Sequence, residues 1–169
     1  MNSLKAFIEN YENKNGVSQL DSSNTIKLYK SRVEYFYLQI MNWLKPLVDT
    51  GKLSIVQEEI SLTEDSLGTY PINKMIISFG KFHIELRPIG TILIGTPGRI
   101  DMVYNGRIQK FILILENIHN AGQFAKVRKI DRNKRTKFVW KYISDEEQNI
   151  YEIVEKHSFE TLLVNLINA

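Results

Sequence analysis

A chain of 169 residues, 43% hydrophobic and 24% charged, is long enough to bury a core and too apolar to stay disordered. Its net charge of +3, from 22 basic and 19 acidic side chains, is too small to argue nucleic-acid binding by itself. There is no cysteine, which excludes a disulfide framework and thiolate zinc sites together. The first residues, Met1-Asn2-Ser3-Leu4-Lys5, lack the basic and apolar regions of a signal peptide, and no apolar run approaches the roughly 18 residues of a membrane helix. The expected location is the cytoplasm, without a membrane partner.

Leu4, Phe7, Ile8 and Tyr11 follow helical spacing, so a short amphipathic helix is expected to open the chain. Residues 13–23 are polar and end in Asp21-Ser22-Ser23-Asn24, a supply of N-cap oxygens for the next element. From Thr25 to about Val48 an apolar stripe runs through Ile26, Tyr29, Val33, Phe36, Tyr37, Ile40, Trp43, Leu44 and Leu47. It predicts a long helix that stops near Gly51, with Pro46 in its last turn. Residues 53–62 read as a strand whose alternation slips between Ile55 and Val56, as a bulge would require.

Three turn signals then fall between runs of apolar residues. Phe79-Gly80-Lys81-Phe82 fits a type II′ hairpin, Thr96-Pro97-Gly98-Arg99 a type II turn, and Tyr104-Asn105-Gly106-Arg107 a type I′ hairpin. With strands over 72–79, 82–87, 91–94, 99–104 and 107–115 they predict an antiparallel meander. Phe111 to Leu115 is apolar at every position, which suits a central strand covered on both faces. After a long irregular segment, residues 138–143 and 150–154 read as two more strands. Ser158 is the expected cap of a last helix with the stripe Phe159, Leu162, Leu163, Leu166 and Ile167. The expected fold class is α+β: a mostly antiparallel β-meander of six or seven strands, packed by a long N-terminal helix and a C-terminal helix. One domain is expected over 1–169: a helical region over residues 1–50, the meander 52–116, a basic loop 117–137, and two strands with the closing helix 138–169.

Chemistry is less legible than fold. Gly98-Arg99-Ile100-Asp101, followed by a glycine turn and Ile112-Leu113-Ile114-Leu115-Glu116, loosely resembles the metal-binding hairpin of PD-(D/E)xK nucleases. In that family an aspartate and a glutamate on adjacent strands hold a divalent cation, with a lysine two residues beyond the glutamate. The resemblance covers about a tenth of the chain, and position 118 is Ile. If Asn105-Gly106 is a two-residue turn, Asp101 faces Lys110, and Glu116 lies on the order of 20 Å further along at about 3.3 Å per residue. Two carboxylates that far apart cannot share an ion. A cross-strand Asp101–Lys110 ion pair is the simpler expectation.

Gly90 to Gly98 is glycine-rich, but it lacks the lysine, hydroxyl and following helix of a phosphate loop; turns and close backbone approach explain it better. His83, His119 and His157 have no second ligand at metal spacing, and no nucleophile signature is present. No catalytic residue, metal or cofactor is therefore expected.

Lys126, Arg128, Lys129, Arg132, Lys134, Arg135, Lys137 and Lys141 fall within sixteen residues, opposed by Asp131 alone, and without them the chain is net acidic. Such a run can meet an acidic protein surface or track phosphates, or can simply keep a loop solvated. Lys126, Arg128, Lys129, Arg132, Lys134, Arg135 and Lys137 are the candidate binding residues. The expectation is a non-enzymatic protein of the inhibitor, immunity or defence-accessory kind, small, cytoplasmic and bacterial in character, whose partner is a protein with an acidic surface. The alternative is a nucleic-acid-binding protein or degenerate nuclease using the 126–141 segment.

Overall fold

The computed structural model describes residues 4–91, 98–126 and 137–169, leaving aside the side chains of residues 7, 9–21 and 124–126. Its elements are α1 (Leu4–Asp49), β1 (Ser54–Glu64), β2 (Gly68–Phe79), β3 (Phe82–Gly90), β4 (Arg99–Tyr104), β5 (Arg107–Leu115), α2 (Ala121–Lys126), β6 (Phe138–Asp145), β7 (Ile150–Ile153) and α3 (Lys156–Asn168). The strands form one seven-stranded sheet in the order β1-β2-β3-β4-β5-β6-β7, each neighbouring pair antiparallel. This is the α+β meander that the turn chemistry predicts. Asn105 and Gly106 have φ of 49° and 76°, and Gly80 has 53°, as type I′ and II′ turns require. The flanking pairs Tyr104↔Arg107 and Phe79↔Phe82 follow directly.

The two expected N-terminal helices are a single one of 46 residues. The polar stretch between them contains no proline, and Gly16 costs only about 1 kcal/mol in a helix interior, so nothing enforces a break. The Asp-Ser-Ser-Asn cluster lowers propensity there without ending the helix. The C-terminus is well defined: Gly51 adopts φ 71°, its N–H reaches the Val48 carbonyl at 3.0 Å and that of Lys52 the Leu47 carbonyl at 3.0 Å. Those two bonds are a Schellman cap.

α1 and α3 pack on one face of the sheet. Phe36 is the hub of that core, with Trp140 stacked at 5.2 Å, Phe111 edge-on at 5.4 Å and Phe159 edge-on at 6.5 Å. Trp43, by contrast, is half-buried beside Phe159, and Leu47 and Val48 are exposed, so the stripe leaves the core over the last turn. Pro46 lies inside that turn, and α1 continues past it to Asp49. Ile114, turned to the opposite face by its place next to Leu113, makes a second, smaller cluster with Leu115, Ile118 and Tyr151. β5 is thus covered on both sides, as its unbroken apolar run suggests.

Three local expectations are corrected. β1 pairs with β2 without interruption from Ser54↔Ser78 to Glu64↔Gly68, so there is no bulge at Ile55/Val56. The slip has another cause: β2 buries Met75 and Ile77 near β3 but Tyr70 and Ile72 beyond the last β2–β3 pair, Met75↔Leu86. The hairpin turns its other face inward where β3 no longer holds it. Gly98 is not in the positive-φ region of a type II turn; a Cβ there would lie 2.7 Å from Cε2 of Tyr29, so close approach is what it serves. Ser158 is not the cap of α3 but sits one turn in, its Oγ accepting the Glu155 N–H at 2.8 Å, with Glu155 as the N-cap. The expected strand over 91–94 falls largely outside the described residues. Some of the expected irregular segment is helical, namely α2.

Candidate functional site

A groove of about 410 Å³ opens between α1 and the β5–β7 end of the sheet. Its floor is apolar, with Leu113, Phe138, Trp140 and Val154, and its rim carries Arg32, Tyr35, Gln39, Glu116 and Lys137. α1 is fixed to this end of the sheet by the Trp140 indole N–H, which donates to the Arg32 carbonyl at 3.1 Å. That bond places the Arg32 side chain over Phe138, with the guanidinium carbon 4.7 Å from the ring centroid. A cation against a ring face gains about 0.5–2 kcal/mol depending on solvation.

Among the described residues no carboxylate lies within ion-pair distance of Arg32. Burial holds its pKa below the ordinary arginine value, as for a cation partly stripped of water. Lys137 stands on the same rim, 3.9 Å from Glu116 and mostly exposed, where such a pair contributes at most about 1 kcal/mol. Two apolar side chains of α1 border the opening in solvent, Leu28 and Tyr35, the latter 62% exposed. The chemistry on offer is a flat apolar floor and two basic groups, arranged to receive an anion attached to an apolar or aromatic body.

Of the candidate binding residues, Lys137 is on this rim. Lys126 ends α2, its side chain outside the described residues, and Arg128, Lys129, Arg132, Lys134 and Arg135 lie outside them altogether. Lys141 does not belong to an exposed run. It is fully buried on β6, and its Nζ donates to the carbonyls of Glu116 at 2.8 Å and Ile118 at 2.5 Å. Desolvation lowers its pKa. Its role is to hold the turn after β5 against the sheet.

A second set of polar side chains converges about Tyr29, roughly one turn of α1 before Arg32, which sequence spacing does not reveal. Glu64 Oε2 accepts from Tyr70 at 2.5 Å, while its Oε1 accepts from the Thr91 N–H at 2.7 Å and the Thr91 hydroxyl at 3.0 Å. Tyr29 donates to the Arg99 carbonyl at 2.6 Å and accepts from the Gly90 N–H at 3.3 Å. Burial is the main reason that Tyr29 and Tyr70 hold their protons far above the ordinary tyrosine range. The donors and acceptors here are spent on one another, which makes this an anchor for the chain on either side of residues 92–97. The aromatic stripe flagged Tyr29, but nothing local flagged Glu64.

Asp101 faces Lys110 in register, as the hairpin predicts. Its carboxylate is nevertheless taken by Arg99, through Nε at 2.6 Å and an Nη at 2.7 Å, and Lys110 is exposed. The planar guanidinium offers a bidentate match that a lysine cannot. Glu116 lies past the end of β5 with Lys137, and among the described residues no three acidic or histidine side chains gather as a metal site would need. His83 shares a hydrogen bond with Ser78 at 2.9 Å on the sheet face away from the helices, and His119 and His157 are exposed. Among the described residues no helix is long and apolar enough to cross a membrane. Comparison of the chain with protein-family models, with curated proteins and with solved structures gives no match.

Proposed function

We propose that this is a non-enzymatic binding protein of the inhibitor or immunity kind, acting in the cytoplasm on a protein partner with an acidic surface. The observation that carries the reading is Arg32, stacked on Phe138 and without a carboxylate among the described residues, on the rim of an apolar groove that also bears Lys137. The chain enters β6 at Lys137 directly from the run holding Lys126, Arg128, Lys129, Arg132, Lys134 and Arg135. An acidic segment with an aromatic or aliphatic anchor satisfies both features: the anchor fills the groove, and its carboxylates meet Arg32, Lys137 and the basic run.

Nucleic acid is the second reading, favoured by the same basic run, since phosphates would suit Arg32 and Lys137 and bases would stack on the floor. The test titrates the full chain with a labelled peptide of alternating glutamate and phenylalanine, and separately with single-stranded DNA and RNA. Binding of the peptide, weakened about tenfold or more by Arg32→Gln, supports the protein reading. Oligonucleotide binding with a steep salt slope, and no peptide binding, replaces it with the second. Hydrolysis of either nucleic acid with Mg²⁺ or Mn²⁺, lost on Asp101→Ala, overturns both.

A further inference from the structure

The opposite edge of the sheet carries a different kind of surface. β1 is an edge strand of 11 residues, twice the length of a common strand, and among the described residues β2 is the one strand beside it. Edge strands are normally blunted by charged side chains, lysine above all, by proline, by a bulge or by a covering element. The charges of β1 are all acidic, Glu58, Glu59 and Glu64, so they turn away an acidic strand and admit a basic one. β1 has no lysine and no proline, and its register with β2 is unbroken over its whole length. Among the described residues no strand pairs with its outer edge, which over residues 55–63 offers backbone amides and carbonyls to another strand.

The face of the sheet away from the helices says what chemistry that edge suits. Glu58 on β1 is directly opposite Lys74 on β2, 3.4 Å between charged atoms; Lys74 reaches Glu85 on β3 at 3.0 Å; and Glu85 reaches Arg87 at 2.6 Å. Sign therefore alternates from β1 to β2 to β3, with Arg87 beside Glu85 on β3 itself, and the ladder ends on an anion at the edge. The Glu58 side chain is 56% exposed, whereas Lys74 is 15% exposed. Beside Glu58 on the same face is Val56, 50% exposed, in line with Ile76 on β2. The next position outward calls for a cation opposite Glu58 and an aliphatic side chain opposite Val56, two residues apart on one strand.

We infer that β1 is a docking edge for an extended basic segment of another protein, which adds to the sheet as an eighth strand and places a lysine or arginine against Glu58. A second copy of this chain does not meet the requirement through its sheet edges. β1 reads Ser54-Ile55-Val56-Gln57-Glu58-Glu59-Ile60-Ser61-Leu62-Thr63-Glu64 and β7 reads Ile150-Tyr151-Glu152-Ile153, so neither supplies a cation in any register. Pairing β1 with itself would bring Glu58 and Glu59 toward carboxylates of the same charge. This site is at the far side of the sheet from the Arg32 groove, attracts the opposite charge, and stands whether or not that groove binds anything.

The experiment uses the full chain and three labelled ten-residue peptides that place a charged and an aliphatic residue two apart: a lysine–valine peptide repeating Lys-Thr-Val-Thr, a glutamate–valine peptide repeating Glu-Thr-Val-Thr, and a lysine–proline peptide repeating Lys-Pro-Val-Pro. The lysine–valine peptide should bind saturably and slow amide exchange along β1. The glutamate–valine peptide should not bind there, and the lysine–proline peptide, equally charged but missing every second N–H, should bind about tenfold more weakly or worse. Glu58→Gln should weaken the lysine–valine complex several-fold, and Glu58→Lys should abolish it, with circular dichroism confirming that both variants are folded. Four results overturn the inference: equal binding of the lysine–proline peptide, exchange protection elsewhere than β1, indifference to both Glu58 variants, or no saturable binding. Protection of β1 by self-association in the absence of peptide overturns it as well.

Discussion

Gly98→Ala should be a costly substitution even though it adds one methyl group. The new Cβ would lie 2.7 Å from Cε2 and 2.9 Å from Cδ2 of Tyr29, against the 3.5–4.0 Å at which carbon atoms settle. The ring cannot swing clear. Tyr29 is buried, and its hydroxyl is held at 2.6 Å by the Arg99 carbonyl and at 3.3 Å by the Gly90 N–H. Gly98 cannot retreat freely either, because its carbonyl accepts the Leu113 N–H at 2.9 Å. Overpacking of this kind costs about 1–3 kcal/mol, or roughly 2–12 °C in Tm for a chain of this size. The decisive assay is a double-mutant cycle read by urea unfolding, with Gly98→Ala, Tyr29→Val and the pair. In the Tyr29→Val background the added methyl has room, so its cost should fall to near zero, giving a coupling of about 1–3 kcal/mol. Tyr29→Phe, which frees the ring but keeps its bulk, should relieve only some of the penalty. A Gly98→Ala protein that melts with the parent, or costs that simply add in the pair, would refute the close-approach account.

Alkaline unfolding should be steep. Tyr29, Tyr37 and Tyr70 have folded pKa values raised by burial, so below pH 10 they are protonated in both states, while above it only the unfolded chain ionises and stability falls. Each contributes a slope of about 1.4 kcal/mol per pH unit, and Tyr37→Phe should flatten the curve of urea midpoint against pH from 9.5 to 11.5 by one such share. Lys141 works in the other direction: its folded pKa is lowered, so just below pH 10.5 the unfolded chain holds the extra proton and stability rises with pH. Lys141→Met should abolish that rise and cost about 1–3 kcal/mol overall, as the Glu116 and Ile118 carbonyls lose their donor. On the acid side Glu85, whose pKa is lowered by Lys74 first and Arg87 next, contributes stability above about pH 4.5 that is lost as pH falls through its folded value; Glu85→Gln should make the melting temperature less sensitive to acid. Replacing Lys129, Arg132 and Arg135 together with serine should shift stability by less than about 0.5 kcal/mol each while slowing association with the acidic peptide. Thermal melts and stopped-flow on-rates at low and high salt check both halves.

Local chemistry was the readable portion of this chain. Asn105-Gly106 and Gly80-Lys81 each dictate a turn, and a two-residue turn dictates a register; from it the Asp101↔Lys110 pairing follows by counting, and the structure has it. Counting does not say which partner a carboxylate takes, and Arg99 displaces Lys110 because two donors in one plane outcompete one. The two-helix reading of the N-terminus failed for a related reason: cap-forming residues mark a helix start only if something else stops the preceding turn. The Arg32 groove was out of reach, since Phe138 and Trp140 come beside α1 only through the closing of the whole sheet. Lys141 was misplaced with the basic run because spacing along a chain carries no record of which face a strand presents.

The seating of Trp140 against the Arg32 carbonyl, a bond spanning 108 residues, has a bearing on how the molecule is made. Every strand of the meander pairs with its neighbour in the chain, so the sheet can grow hairpin by hairpin as it leaves the ribosome. α1 leaves first, with Phe36 and its companions uncovered, and the residues that will cap that stripe at the β5–β7 end come last. At about 5–20 residues per second, the wait is roughly 5–20 s. For that interval the longest helix of the protein is an unpaired amphipathic rod, open to chaperones and to the α1 of neighbouring nascent chains, and yield on overexpression should depend on how fast the C-terminal third is translated.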